Sequence, residues 1–233
     1  MRASKNTARL AGLLYLLVIA GGIYSLKIVP DALVVSGDAA ATARNIASSE
    51  STFRLAIYVG LVSEVLFLGV GLTLYALLRG AGRGLARAML ILVVIQVVLG
   101  VFDLTFQAAP LVLLSGAGWL TAIPKPQLDV LALGSLGLFD VGNQLAMIFW
   151  GLWLLPLGLL VNRSGFFPRV IGWLLVLNCF SWIATGFVAL LFPVHAGAVD
   201  TILKVASIGE PVLTLWLLVM GANVPPEAAA AAA

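Results

Sequence analysis

The sequence predicts an all-α, polytopic membrane bundle of about six transmembrane helices, with a short outer-face helix between the first two. Three observations carry that prediction. Hydrophobic residues make up 62% of the chain and charged residues only 10%, whereas in soluble domains charged residues approach about a quarter. Mean hydropathy is +1.12. Six windows of about 20 mostly apolar residues, the length that crosses a hydrocarbon core, lie between charges. They are continuous apolar runs without the alternation of barrel strands, and only helices or closed barrels satisfy every backbone polar group in lipid.

Taken in order, the first span is expected at residues 10–28. Its basic start and the run Leu10 to Ala20 resemble a signal peptide. The apolar stretch, however, continues through Gly21, Gly22, Ile23 and Tyr24 toward Lys27, beyond the ~7–15 residues of a signal core, and no convincing small-x-small cleavage site follows. Gly37 and Asp38 then introduce the alanine-rich stretch Ala39 to Ser48, a short outer-face helix with Asp38 as its N-cap. The second and third spans follow at 54–78 and 88–109. After Pro110, Leu111 to Pro126 is apolar but interrupted by Ser115, Gly116, Gly118, Pro124 and Pro126, which suits a structured outer loop or re-entrant piece. Leu128 to Gly137 is expected as a short interfacial helix leading into the fourth span, 138–161. The fifth and sixth spans lie at 170–192 and 201–221. Residues 1–224 thus form one transmembrane domain, and 225–233 a low-complexity alanine tail.

Lys and Arg set the orientation. Arg2, Lys5, Arg9, Arg79, Arg83, Arg87, Arg163 and Arg169 fall at one end of the spans, and Lys27, Arg44, Arg54, Lys125 and Lys204 at the other, among Asp31, Asp38, Glu50, Asp129 and Asp200. The positive-inside rule puts the first group, and both termini, in the cytoplasm. The basic balance therefore expresses topology, and no basic, aromatic-interleaved face points to nucleic acid.

Several stretches together resemble a known family. These are Ala8-Arg-Leu-Ala-Gly-Leu-Leu-Tyr-Leu16, Gly37-Asp-Ala-Ala-Ala-Thr-Ala-Arg-Asn-Ile46 running to Phe53-Arg-Leu55, Arg163-Ser-Gly-Phe-Phe-Pro-Arg169 followed by Gly172, and Gly209-Glu210 with Leu215-Trp-Leu-Leu218 and Gly221. As a set they are similar to the bacterial membrane-protein family known as domain of unknown function 4386. The resemblance covers nearly the whole chain. It implies a helical membrane fold, a bacterial origin and hence the inner membrane, and it carries no activity to transfer.

Four lone acids interrupt the apolar segments: Glu64, Asp103, Asp140 and Glu210. Each costs at least ~2.5 kcal/mol at a helix centre on the mildest insertion scale, so they call for a polar interior, a pathway or a partner. At a rise of ~1.5 Å per residue, Glu64 and Asp103 lie roughly 22–24 Å from the cytoplasmic arginines, Asp140 near ~34 Å, and Glu210 ~18 Å above Ala222. Helical spacing supplies company. Gln96, Gly100, Asp103 and Gln107 share a face in span three, as do Asp140, Asn143 and Gln144 in span four. Ser207, Glu210 and Thr214 share one in span six, and Asn178, Ser181, Trp182 and Thr185 form a stripe in span five. Gly60, Glu64 and Gly71 align in span two, where small residues allow another helix to approach. Pro211 removes a backbone donor and invites a kink.

Two readings stay open. In one, Glu64, Asp103, Gln107, Asp140, Asn143 and Glu210 line an outward-facing polar cavity that binds a small ligand, a lipid headgroup or a cation, in a transporter-like or sensory protein. In the other, these residues bond helices together, within an accessory or structural subunit of a larger membrane complex or a homo-oligomer; membrane lipids are partners in either case.

Familiar chemistries find little support. A catalytic zinc normally needs about three ligands rich in His or Cys, but His195 is the single histidine, expected in an outer loop after Pro193, and Cys179 the single cysteine; the acids and amides could still hold calcium or magnesium, though nothing in their spacing demands it. No Gly-x-Ser-x-Gly elbow occurs, and Arg79-Gly-Ala-Gly-Arg-Gly84 neither follows a strand nor completes a P-loop. No cofactor, metal or catalytic residue is therefore assigned. An intramembrane acid–base enzyme is the least favoured reading, since it needs two carboxyls within reach of one substrate.

Overall fold

A computed structural model describes residues 2–222, with side chains from Lys5 onward, so the alanine tail at 225–233 lies outside the described residues. Helix accounts for 89% of the structure and no strand occurs among the described residues, which closes the barrel alternative. Six helical stretches are long and apolar enough to cross a membrane: Lys5–Leu33, Glu50–Ala81, Arg83–Leu113, Lys125–Ser164, Arg169–Leu191 and Pro193–Val219. Large apolar side chains, among them Leu13, Tyr58, Val65, Phe102, Trp173 and Leu215, are exposed on these helices. In water such a surface drives aggregation, whereas in lipid it is the ordinary exterior. The protein is a multi-pass membrane protein.

Helix α1 (Arg2–Ile23) continues through a π-helical turn, Tyr24–Ile28, into α2 (Val29–Leu33). The cause is local. The Val29 N–H reaches back five residues to the Tyr24 carbonyl, and the next rung is missing because Pro30 has no N–H. Helix α3 (Ala39–Ser48) forms as expected, capped by Asp38, whose Oδ1 accepts the Ala41 N–H at 2.8 Å. It is tied to the preceding loop by the Val35 N–H to Thr42 Oγ1 (2.9 Å) and by Asn45 Nδ2 to the Leu33 carbonyl (3.1 Å). Ile46 on its buried face joins a core of Val29, Leu33, Phe53, Ala56 and Leu136. Asp38→Ala is expected to cost about 1 kcal/mol, read as a lower thermal midpoint of the purified protein; an unchanged midpoint would deny the cap any weight.

The second, third and fourth spans run longer than their apolar windows. Helix α4 (Glu50–Leu78) starts at Glu50 because that carboxylate suits a helix N-terminus and pairs with Arg54 one turn on, at 2.7 Å. Helix α5 (Arg83–Leu113) passes through Pro110. In lipid the flanking carbonyls have no better partner than the helix itself, so one lost rung does not end it. The stretch Leu128 to Gly137 is not a separate interfacial helix but the first turns of α6 (Lys125–Leu152). Pro126 fits the first turn, Lys125 pairs with Asp129 across one turn, and no breaker separates them from the apolar run. A step at Trp153 leads into α7 (Leu154–Ser164), and the long Trp153 N–Phe149 O contact of 3.4 Å lies just before Pro156. Gly165, at φ 67°, ends α7 in the left-handed region, and Pro168 precedes α8 (Arg169–Leu191).

Span six is the least regular. His195 belongs to a 3-10 turn, Pro193–His195, rather than a free loop, and α9 (Ala196–Leu203) follows. The chain then tightens to 3-10 helix over Lys204–Ile208 before α10 (Gly209–Val219). The break expected at Pro211 thus falls in the preceding turn, where the ring excludes the α-helical bond to Ser207.

Four of the five cations assigned to the outer side are held by acids one turn away: Lys27–Asp31 (2.8 Å), Arg54–Glu50 (2.7 Å), Lys125–Asp129 (3.0 Å) and Lys204–Asp200 (2.7 Å). Among the described residues, Arg44 is the fifth and has no ion pair.

The chain divides into two compact units. One gathers the chain through Leu17, Val65–Val98 and the chain from Gln144. The other gathers Val18–Glu64 and Leu99–Asn143.

Candidate functional site

Polar side chains in the second unit meet the glycines of neighbouring helices. A β-carbon on Gly100 of α5 would overlap the Glu64 carboxylate of α4, and one on Gly142 of α6 would overlap the Asp103 carboxylate of α5. The same arrangement recurs nearby: a β-carbon on Gly60 would sit 2.8 Å from Ser25 Oγ, and one on Gly21 would overlap Ser63 Oγ. Glycine at these positions lets a polar group lie flat on the adjacent backbone, which is how small residues bring membrane helices close.

The seam is short of donors. Gln107 is buried and gives its amide N–H to the Ser25 carbonyl at 3.2 Å, a carbonyl in the π turn ahead of Pro30. Its Oε1 has no partner, and neither do Glu64 Oε2, Asp103 Oδ2 or Ser25 Oγ, although all four atoms are buried. A buried polar atom left unbonded costs about 1–3 kcal/mol. When the two carboxyl groups are ionised, three of these four are pure acceptors, and the fourth is a hydroxyl that can accept as well. The seam therefore has room for hydrogen-bond donors and positive charge.

The other two expected members of this face stand differently. Asp140 lies two residues before Gly142, but its side chain is exposed. Asn143 turns its amide back to the Phe139 carbonyl of its own helix at 2.9 Å. Ser25, Ser63 and Gly142 were not singled out from sequence. From sequence Pro30 marks Leu26, four residues back; only the π turn shifts the freed carbonyl to Ser25.

Glu210 belongs to the first unit, where its carboxylate is already bonded. Tyr15 Oη donates to Oε1, and Asn178 Nδ2 (2.7 Å) and Trp182 Nε1 (2.8 Å) donate to Oε2. The stripe expected on span five thus meets the face expected on span six. Ser181 extends the contact, donating to the Leu203 carbonyl at 2.9 Å and lying 3.0 Å from Ser207 Oγ. Tyr15, the donor missed in the sequence, is buried in an aromatic cluster with Phe67 and Trp153, whose own rings meet edge to face at 5.1 Å. Three neutral donors on one carboxylate make a pin between helices.

Among the described residues, no three His, Cys, Asp or Glu side chains gather as a metal-binding group. Gln96 Oε1, Asn178 Oδ1 and both amide atoms of Asn162 are further buried groups without partners, all in the first unit.

The chain belongs to the family described as domain of unknown function (DUF4386), whose model matches residues 10–221. No curated protein and no solved structure matches it.

Proposed function

We propose that this DUF4386 member binds a small cation inside the membrane, through the acceptor-rich seam of its second unit. The observation that carries the reading is the set of buried, unbonded acceptors, Glu64 Oε2, Asp103 Oδ2 and Gln107 Oε1. Glu64 and Asp103 supply the charge, and Gln107 adds a neutral acceptor on the same face of α5. Asp140 and Asn143 flank the seam and serve entry. Glu210 takes no part, because its oxygens are occupied. The orientation that fits is the bacterial inner membrane with both termini cytoplasmic and the acids in the outer half, supported by eight basic residues at one end and by near-complete pairing of the five at the other.

The test uses purified protein in nanodiscs, titrated with ethanolamine and, separately, with sodium and potassium chloride. At about 100 times Kd, a bound cation adds ~2.7 kcal/mol of stability, a clear rise in the thermal midpoint. The double substitution Glu64→Gln, Asp103→Asn is expected to abolish that rise while keeping the cation-free midpoint. A rise that survives the double substitution, or none with any of the three cations, refutes the reading.

Asp140 favours a second reading, that of a subunit in a larger membrane complex. It is an exposed carboxylate between the exposed apolar residues Leu138 and Val141, and a polar group on a partner helix would cover it. Extraction in mild detergent yields a stoichiometric partner if so, which Asp140→Leu then releases; a monodisperse chain without partner removes this reading.

A further inference from the structure

The second unit also contains a cavity of about 360 Å³ at the end of the spans where α3, the end of α5 and the start of α6 meet. That volume lies within the ~300–1,000 Å³ of small-molecule sites. Ala43 and Ala47 of α3, Leu113 and Leu114 of α5, and Leu120 and Leu128 beyond it form apolar walls. Two cations, Arg44 and Lys125, also line it, and among the described residues no carboxylate does. Their charges are unequal in effect. Lys125 donates to both oxygens of the buried Asp129 at 3.0 Å, which neutralises it locally. Arg44 is exposed and without an ion pair, so the site keeps one uncompensated positive charge beside an apolar space. A guanidinium offers paired donors matched to a carboxylate or phosphate.

We propose that this cavity binds an anionic amphiphile, a hydrocarbon chain in the apolar space with its carboxylate or phosphate on Arg44. Two sources share that chemistry, a free fatty acid and an anionic phospholipid. Lys125 holds Asp129 and frames the headgroup position, while Arg44 supplies the attraction. The proposal concerns residues apart from the acidic seam and stands whether or not the seam binds a cation.

The test measures binding of radiolabelled dodecanoate and of dodecanol to the full chain in phosphatidylcholine nanodiscs. Arg44→Gln is expected to weaken dodecanoate about tenfold, the scale of one charge-assisted bond, and to leave dodecanol unchanged. Ala47→Trp fills the cavity from an exposed position and is expected to weaken both. Neither substitution disturbs a buried side chain. Nanodiscs containing phosphatidylglycerol then separate the sources: loss of dodecanoate binding there identifies the phospholipid, and undiminished binding identifies the free acid, and either supports the site. Equal binding of dodecanoate and dodecanol to the unaltered protein, or binding indifferent to both substitutions, overturns it.

Discussion

Glu210→Leu is expected to lower stability by roughly 2–5 kcal/mol. The range follows from three lost side-chain bonds, at the ~0.6–1.7 kcal/mol found for such bonds between membrane helices. The loss is large because the residues left behind are buried donors: Tyr15 is 2% exposed and Asn178 0%, and neither finds lipid an acceptor. Glu210→Gln keeps one acceptor oxygen and is expected to fall between the two. The decisive measurement is a double-mutant cycle with Tyr15→Phe, read from thermal or denaturant unfolding in detergent. The two changes should be less than additive, because each removes the same bond. Strict additivity would mean that the Tyr15–Glu210 contact has no energetic weight, and that the acid has another task.

Gly158→Val is the second large effect, expected near 3 kcal/mol, at the upper end of overpacking costs. A β-carbon on Gly158 would stand 2.6 Å from the Gly172 carbonyl oxygen and 2.9 Å from Val176 Cγ2, and one on Gly172 would stand 2.7 Å from the Gly158 carbonyl oxygen. The nearest obstacle to Gly158 is backbone, which no rotamer change moves. Helices α7 and α8 cross there at the closest approach that two glycines permit. Gly134→Ala is the control. Nothing lies within 4 Å of its β-carbon position, and alanine in a helix gains about 0.5–1 kcal/mol over glycine. If Gly158→Val unfolds at the same midpoint as Gly134→Ala, the crossing is not as close as described.

Much of this was legible along the chain. The spans follow from apolar length alone, and the Asp38 cap and α3 from the residues at one boundary. The departures have separate causes. At Pro110 the helix continues because lipid leaves the backbone no alternative partner, whereas α4 and α6 begin ahead of their apolar windows with ion pairs, Glu50–Arg54 and Lys125–Asp129, across their first turns. Within single helices, periodicity grouped Gln96, Gly100, Asp103 and Gln107, of which Gly100 meets Glu64 and Asp103 meets Gly142, and grouped Asn178, Ser181, Trp182 and Thr185, of which Asn178 and Trp182 donate to Glu210. It was silent on which face meets which. Tyr15 looked like one more apolar-span aromatic, and only its position against Glu210 distinguishes it.

The sequence by itself determined that this is a multi-pass helical membrane protein, which residues are polar at depth, and how each shares a helix face with its neighbours. Those properties depend on composition and on a repeat of 3.6 residues, both written along the chain. Tertiary structure alone decided the fate of the acids: Glu210 bonded by three donors in one unit, Glu64 and Asp103 laid on glycines with acceptors unbonded in the other. A carboxylate's role depends on the donors around it, and here those come from residues as far as 195 positions away, a relation that no local pattern encodes.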